Sequence, residues 1–147
     1  MNDTSSAPAP PTQDETTMAL LAHVLQIFTW WIGPLVIYLV RRESKFVSFH
    51  ALQALFWQIT MVVVGAIGMG FWIFLIFAMV ISHAGKAAPN HGPPPVFFLV
   101  FPLFWLGFLV FWVANIVIGV VFGIKAGRGE WASYPLLGRW ARRVVGV

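Results

Sequence analysis

The stretch that decides the fold is FVSFHALQALFWQITMVVVGAIGMGFWIFLIFAMVISHAG, residues 46–85, which carries no charged side chain. As one helix it would be roughly 60 Å long at about 1.5 Å per residue, twice the roughly 30 Å hydrocarbon core of a bilayer. It is therefore either one tilted helix or a hairpin of two short spans. Gly65, Gly68 and Gly70 mark the middle, where a bend or a close helix contact is expected.

Two further apolar runs flank this stretch. Residues 18–40 are free of charge and contain Gly33-Pro34, where a kink or break is expected, and residues 96–124 contain Pro102 and Asn115. The pattern predicts an all-α polytopic membrane protein with spans at about 18–40, 49–81 and 96–124, four spans being the alternative. Residues 83–95 are rich in Pro and Gly and predict a loop. Residues 1–17 predict a disordered acidic, Pro-rich tail, with residues 18–147 forming a single membrane domain.

Composition supports lipid as the main solvent of this chain. Of its 147 residues, 59% are hydrophobic and 10% are charged. In soluble domains about 45–50% of the residues are hydrophobic and about 25% are charged. The absence of cysteine excludes disulfides, thiol nucleophiles and cysteine metal sites.

The basic residues predict the orientation in the membrane. With three spans, every Lys and Arg except Lys86 lies either in the first loop (41–45) or in the C-terminal segment (125–147), which then share one side. The positive-inside rule places that side in the cytoplasm of a bacterial inner membrane and the N-terminus outside. Four spans would separate the two basic groups, so three are preferred. The pI of 10.1 thus reflects topology, and no nucleic-acid partner is expected.

The C-terminal segment 135–145 predicts an amphipathic interfacial helix. On a helical wheel one side carries the basic residues Arg139, Arg142 and Arg143, and the other carries Leu137, Trp140, Ala141 and Val144. Such a helix lies in the headgroup plane, where anionic lipid headgroups attract its arginines.

A polar seam is predicted between the spans. His50 and Gln53 share one side of the second span and can hydrogen-bond to His23 or Gln26 of the first span, or to Asn115 of the third. Two interpretations stay open. The seam either ties the helices together near the headgroups, or it lines a path for a substrate or an ion.

Small residues predict close helix packing. Gly119, Gly123 and Gly127 are spaced four apart and give one helix a smooth face. That face packs against the protein's own helices, against a second copy, or against both.

Catalytic patterns are missing from the sequence. The serines occur in no nucleophile-elbow motif, no phosphate-binding glycine loop is present, and the acids beyond the tail are Glu43 and Glu130 alone. No enzyme activity, metal or cofactor is expected.

Four segments carry a family resemblance: "LAH" (21–23), "GPLVIYLV" (33–40), "RRESKFVSFHALQALFWQ" (41–58) and "IKAGRGEWASYPLLGRW" (124–140). Together they resemble a bacterial family of small membrane proteins of unknown function. That family is grouped with the channel-forming subunit of the chloroplast inner-envelope import translocon (the Tic complex). The sequence departs from it at Leu52-Gln53 and in its longer Pro-rich loop, and the translocon relative is usually drawn with four spans.

These features predict a non-enzymatic integral membrane component that self-associates or joins a larger membrane complex. The resemblance implies a place in translocation or envelope assembly. The alternative is a small channel or carrier subunit that uses the polar seam.

Overall fold

The computed structural model describes residues 10–84, 95–135 and 137–147, and over these residues the chain is all-helical without strands. The helices are α1 (Gln13–Thr29), α2 (Ile32–Val40), α3 (Lys45–Ala84), α4 (Pro95–Gly127) and α5 (Leu137–Val145). The predicted all-α class is thereby confirmed for these ranges. Most of the predicted tail (residues 1–9) and loop (85–94) lies outside them.

The first helix begins earlier than the apolar pattern indicated, at Gln13 rather than at Met18. A capping box starts it: Thr12 Oγ1 accepts a hydrogen bond from the Glu15 amide (3.3 Å), and Glu15 Oε2 accepts one from the Thr12 amide (2.8 Å). These bonds satisfy amide groups that have no partner inside the helix. Polar residues 13–17 are therefore helical.

The first apolar run is a helical hairpin and not one span. Its turn is formed by two tryptophans. Trp30 has φ 57° and ψ −129°, and Trp31 has φ −76° and ψ −18°. These angles are close to a type II′ turn, whose first central position has a positive φ and favours glycine. A tryptophan there is strained by about 1–3 kcal/mol, and the packing of the hairpin has to hold it.

Gly33 lets the two helices of the hairpin come together. A Cβ atom at this position would lie 2.6 Å from Leu25 Cβ, closer than packed carbon atoms approach. Thr29 Oγ1 accepts a hydrogen bond from the Gly33 amide (3.0 Å) and donates one to the Leu25 carbonyl (2.8 Å). Pro34 falls in the first turn of α2, where its missing N–H costs nothing. The expected break thus occurs three residues before Gly33, and the chain reverses direction there.

The hairpin returns to the side on which it began. Arg41, directly after α2, forms an ion pair with Asp14 in the first turn of α1 (2.8 Å). The N-terminal end of α1 and the first basic loop therefore lie at the same end of the hairpin. Residues 18–40 therefore do not form the one continuous helix that was predicted, and three spans are not confirmed.

Two of the described helices are long and apolar enough to cross a membrane. They cover Lys45–Ser82 and Pro95–Gly127. Both extend beyond the spans predicted at about 49–81 and 96–124.

The chain divides into two compact units. Unit 1 comprises Met1–Ile59 and Ile116–Val147, and unit 2 is Thr60–Asn115. In unit 1 the first turns of α3 are buried on all sides. Phe46 packs with Ala19 and Ala126, and Phe49 packs with Leu52 and Ala141.

Unit 2 contains the apolar middle of the chain. Trp72 of α3 stacks on Phe104 of α4 (ring centroids 4.4 Å apart, 9° between planes). Large apolar side chains such as Phe74, Phe98 and Val110 point outward and are more than half exposed. Unit 2 therefore has the surface of a protein solvated by lipid.

Because the chain has no native cysteine, single cysteines can report the sidedness of the hairpin cleanly. We expect Gln13→Cys and Glu43→Cys, both at exposed positions, to react with a membrane-impermeant maleimide from the same side of sealed vesicles. Reaction from opposite sides would show that residues 18–40 cross the membrane and would contradict the hairpin.

Candidate functional site

Polar side chains from three segments of unit 1 meet in its interior. The histidine–glutamine cluster consists of His23, Gln26, His50, Gln53, Gln58 and Tyr134, and each of these residues is at most 3% exposed. The first two come from α1, the next three from α3, and Tyr134 from the segment between α4 and α5. Buried polar groups are stable only when hydrogen-bonded, and the partners of this cluster explain its arrangement.

A chain of hydrogen bonds runs through the two histidines. His50 Nε2 lies 3.1 Å from the Glu130 carbonyl oxygen, His50 Nδ1 lies 3.1 Å from His23 Nε2, and His23 Nδ1 lies 3.0 Å from the Tyr134 hydroxyl. A carbonyl can only accept, so His50 carries its proton on Nε2 and accepts at Nδ1. His23 Nε2 must then donate to His50, and His23 Nδ1 accepts from Tyr134. All of these bonds point in one direction, which fixes both tautomers.

Tyr134 ends this chain as a hydroxyl that donates and accepts. Its oxygen accepts from Gln26 Nε2 (3.5 Å) while its proton goes to His23. Burial raises the pKa of the Tyr134 phenol above its ordinary value, so the donor stays protonated at neutral pH. The ring packs edge-on against Phe122 of α4 (centroids 4.1 Å apart), which holds the hydroxyl in position.

Gln53 clamps the segment that follows α4. Its Oε1 accepts from the Tyr134 amide (2.6 Å), and its Nε2 donates to the Ala132 carbonyl (3.0 Å). One side chain thus takes the place of the backbone partners that this irregular segment lacks around the buried Tyr134.

Gln26 and Gln58 tie α1 to α3. Gln58 Nε2 donates to the Gln26 carbonyl (3.0 Å), close to the C-terminal end of α1. Gln26 Oε1 has no hydrogen-bond partner among the described residues. Helix α1 is therefore held to α3 by polar bonds at two levels, Gln58 with Gln26 and His50 with His23.

The glycine face of α4 packs against α1 within the same chain. A Cβ atom at Gly119 would lie 2.8 Å from Gln26 Nε2, one at Gly123 would lie 3.4 Å from His23 Cβ, and one at Gly127 would lie 2.8 Å from Leu20 Cδ1. Of the two arrangements that the sequence left open, the structure places these glycines in intramolecular packing.

The arginines of α5 do not share one environment. Arg139 and Arg143 are exposed, whereas Arg142 turns inward, donates to the Trp131 carbonyl (3.2 Å) and lies over the Phe49 ring. Arg142 therefore differs from the other two in contacting protein as well, and the grouping of all three as a lipid-facing anchor stays a prediction. The reason for the difference is that the face of α5 with Gly138 and Ala141 is buried. Arg142, next to Ala141, therefore faces protein, whereas Trp140 and Val144 face outward.

The structure brings together four of the five residues predicted for the polar seam. His23, Gln26, His50 and Gln53 meet in unit 1, while Asn115 belongs to unit 2. Sequence reasoning missed Tyr134, which lies in an irregular segment, and set Gln58 aside because it falls off the wheel face of His50. In the described part of the chain no three His, Cys, Asp or Glu side chains group as a metal site would require.

Replacing Gln53 by Leu should lower the free energy of unfolding by about 2–4 kcal/mol, because at similar side-chain volume it leaves the buried Tyr134 amide and the partly buried Ala132 carbonyl unpaired. Denaturation in mixed micelles, followed by tryptophan fluorescence, measures this change. Gln13→Leu, at an exposed position of α1, is the control and should stay within about 0.5 kcal/mol of wild type. Equal stability of the two variants would contradict the clamp.

Comparison with known families corrects the resemblance drawn from the sequence. No curated protein and no solved structure gives a significant match. Residues 14–141 match the MamF/MmsF family, described as the magnetosome magnetite crystal formation protein family. The grouping with the Tic translocon subunit is therefore wrong. Its quoted residues, such as Gly33, His50 and Tyr134, serve the packing of unit 1. With most of its length matched, the chain belongs to the magnetosome magnetite crystal formation protein family.

Proposed function

We propose that this chain is a non-enzymatic integral membrane protein that takes part in forming magnetite crystals inside a membrane compartment. The observation that carries the proposal is the family match over residues 14–141. The match covers both helices that are able to cross a membrane, so the family's character extends to the embedded part of the chain.

The use of the polar groups supports a non-enzymatic role. The imidazoles and amides of the histidine–glutamine cluster bond to one another and to backbone carbonyls of residues 26, 130 and 132. A general base or nucleophile has to face a substrate, and these groups face the protein's own backbone. The same arrangement gives the channel or carrier alternative less support, because the side chains of the seam bond to one another and to the backbone and do not line an open path.

We propose that the end of unit 1 carrying the basic residues faces the cytoplasm. Lys45 Nζ donates to the Gly146 carbonyl (3.2 Å), so the first basic loop and the C-terminal segment lie together. The positive-inside rule then favours a cytoplasmic position for this basic end. Helix α5 would lie at the headgroup level, with Trp140 and Val144 (65% and 59% exposed) toward lipid and Arg139 and Arg143 beside them.

Deleting the gene in a magnetite-forming bacterium tests the crystal role. We expect smaller or misshapen crystals by electron microscopy, restored by the wild-type chain and by Gln13→Leu but not by Gln53→Leu, which disrupts unit 1. Crystals of normal size and number in the deletion strain would overturn the proposal.

We further propose that the chain self-associates through unit 2. An apolar groove of about 260 Å³ there is lined by Gly65, Gly68, Gly107 and larger side chains that include Phe104 and Phe111. At Gly68 and Gly107 an added Cβ would meet nothing within 4 Å. Open glycines allow a second helix to approach closely, and in lipid such packing drives helix association. A helix of a second copy is the occupant that we propose.

Filling the groove should weaken self-association. We expect Gly68→Leu to reduce crosslinked dimer in mild detergent by about tenfold, an effect of about 1.4 kcal/mol. Gly70→Leu is the matched control, because Gly70 is equally open but does not line the groove. A strictly monomeric wild type, or equal loss in both variants, would contradict the proposal.

A further inference from the structure

A groove of about 610 Å³ in unit 1 combines fixed charges with aromatic walls. Two cations, Lys45 and Arg142, and one carboxylate, Glu15, line it. Its remaining walls come from Pro11, Phe46, Trp131 and Val147. None of these charged groups belongs to the histidine–glutamine cluster.

Arg142 is held rigidly at the wall of this groove. Its Nε and Nη2 donate to Ser133 Oγ (3.3 and 3.1 Å), and Nη2 also donates to the Trp131 carbonyl (3.2 Å). The guanidinium lies 5.1 Å from the centroid of the Phe49 ring, a cation–π contact. These bonds use Nε and Nη2, and no hydrogen bond joins Nη1 to another of the described residues, so its donors can bind an anion. A preorganised guanidinium binds phosphate with little further loss of entropy.

Lys45 supplies the second cation. Its ammonium donates to the Gly146 carbonyl (3.2 Å), which uses one of three N–H donors. This bond keeps the ammonium near the end of α5, the helix that also carries Arg142. The groove therefore presents two cations from different helices, α3 and α5.

Glu15 supplies an anion in the same groove. Its Oε1 accepts from Ser44 Oγ (2.7 Å) and its Oε2 from the Thr12 amide (2.8 Å). The hydrogen bond from Ser44 and the one from Thr12 hold the pKa of this carboxyl below its ordinary value. The carboxylate is thus ionised at neutral pH and fixed in place.

The position along the chain puts the groove at the headgroup level. Lys45 is the first residue of one candidate span, and Trp131 follows the end of the other, Gly127, by four residues. Trp131 is partly exposed and packs edge-on against Phe46 (centroids 5.1 Å apart). Tryptophans favour this layer of a bilayer.

We propose that the groove binds the headgroup of a phospholipid that carries both a phosphodiester and a primary ammonium, as phosphatidylethanolamine does. The phosphate lies between Lys45 and Arg142, and the ammonium donates to Glu15. We choose this headgroup because its charges complement those of the groove. The two cations match the phosphate, and the carboxylate matches the ammonium on its short linker. The inference rests on the chain being embedded in a bilayer and not on its role in crystal formation.

Native mass spectrometry of the full chain in detergent tests this site. The probes are phosphatidylethanolamine, phosphatidylglycerol and phosphatidylcholine with identical acyl chains. We expect the ethanolamine lipid to bind tightest. Lys45→Gln and Arg142→Gln should each weaken its binding about tenfold, since each removes a charge-assisted hydrogen bond. Arg143→Gln, the same change one residue further on, is the control and should alter binding less than about twofold.

Glu15→Gln separates headgroup recognition from general attraction to phosphate. This variant should lose the preference for ethanolamine over glycerol while it keeps its affinity for phosphatidylglycerol. If Arg142→Gln does not fold, Lys45→Gln and Glu15→Gln decide the question alone, since both side chains lie at the partly exposed edge of the groove.

Three results would overturn the proposal: equal binding of the three lipids to wild type, equal loss in Arg142→Gln and Arg143→Gln, or competition by inorganic phosphate as effective as that by lipid. The last result would identify a phosphate-ion site. Normal crystals in the deletion strain would leave this proposal standing, so the two can fail separately.

Discussion

The hydrogen bond between His23 and His50 is the interaction on which unit 1 depends. It joins α1 to α3, and the Glu130 carbonyl at one end and the Tyr134 hydroxyl at the other leave a single proton arrangement that satisfies both rings. Because each member donates in the same direction, removing one leaves a buried neighbour unpaired. The first helix, the start of the long helix and the segment after α4 are therefore stabilised together.

The long apolar helix belongs to both units. Its part from Thr60 onward lies in unit 2 and is about 37 Å long at about 1.5 Å per residue. The first turns of α3 are buried by protein, which is why His50 and Gln53 carry no cost of exposure to lipid.

The sequence predicted the long helices and most of the cluster, because charge-free runs and helical spacing are local properties. It did not predict the hairpin, since a turn with a positive φ at Trp30 has no glycine or asparagine to mark it. Tyr134 was missed because an irregular segment has no periodicity, so only the fold shows where it lies. The protein contacts of Arg142 were not predicted, because a helical wheel does not show which edge of α5 packs against protein, and there Arg142 lies over the Phe49 ring.

The glycines of α4 and the polar cluster depend on each other. Gln26 reaches Tyr134 only because α1 lies close to α4, and a Cβ at Gly119 would come within 2.8 Å of its amide nitrogen. The glycine face thus packs against α1 of the same chain and is not available to a second copy. In the described part of the chain, open glycines that line a groove occur in unit 2, at Gly68 and Gly107. A stripe of small residues in a membrane protein therefore identifies close packing, but only the location of polar partners such as Gln26 decides whether that packing lies within one chain or between two.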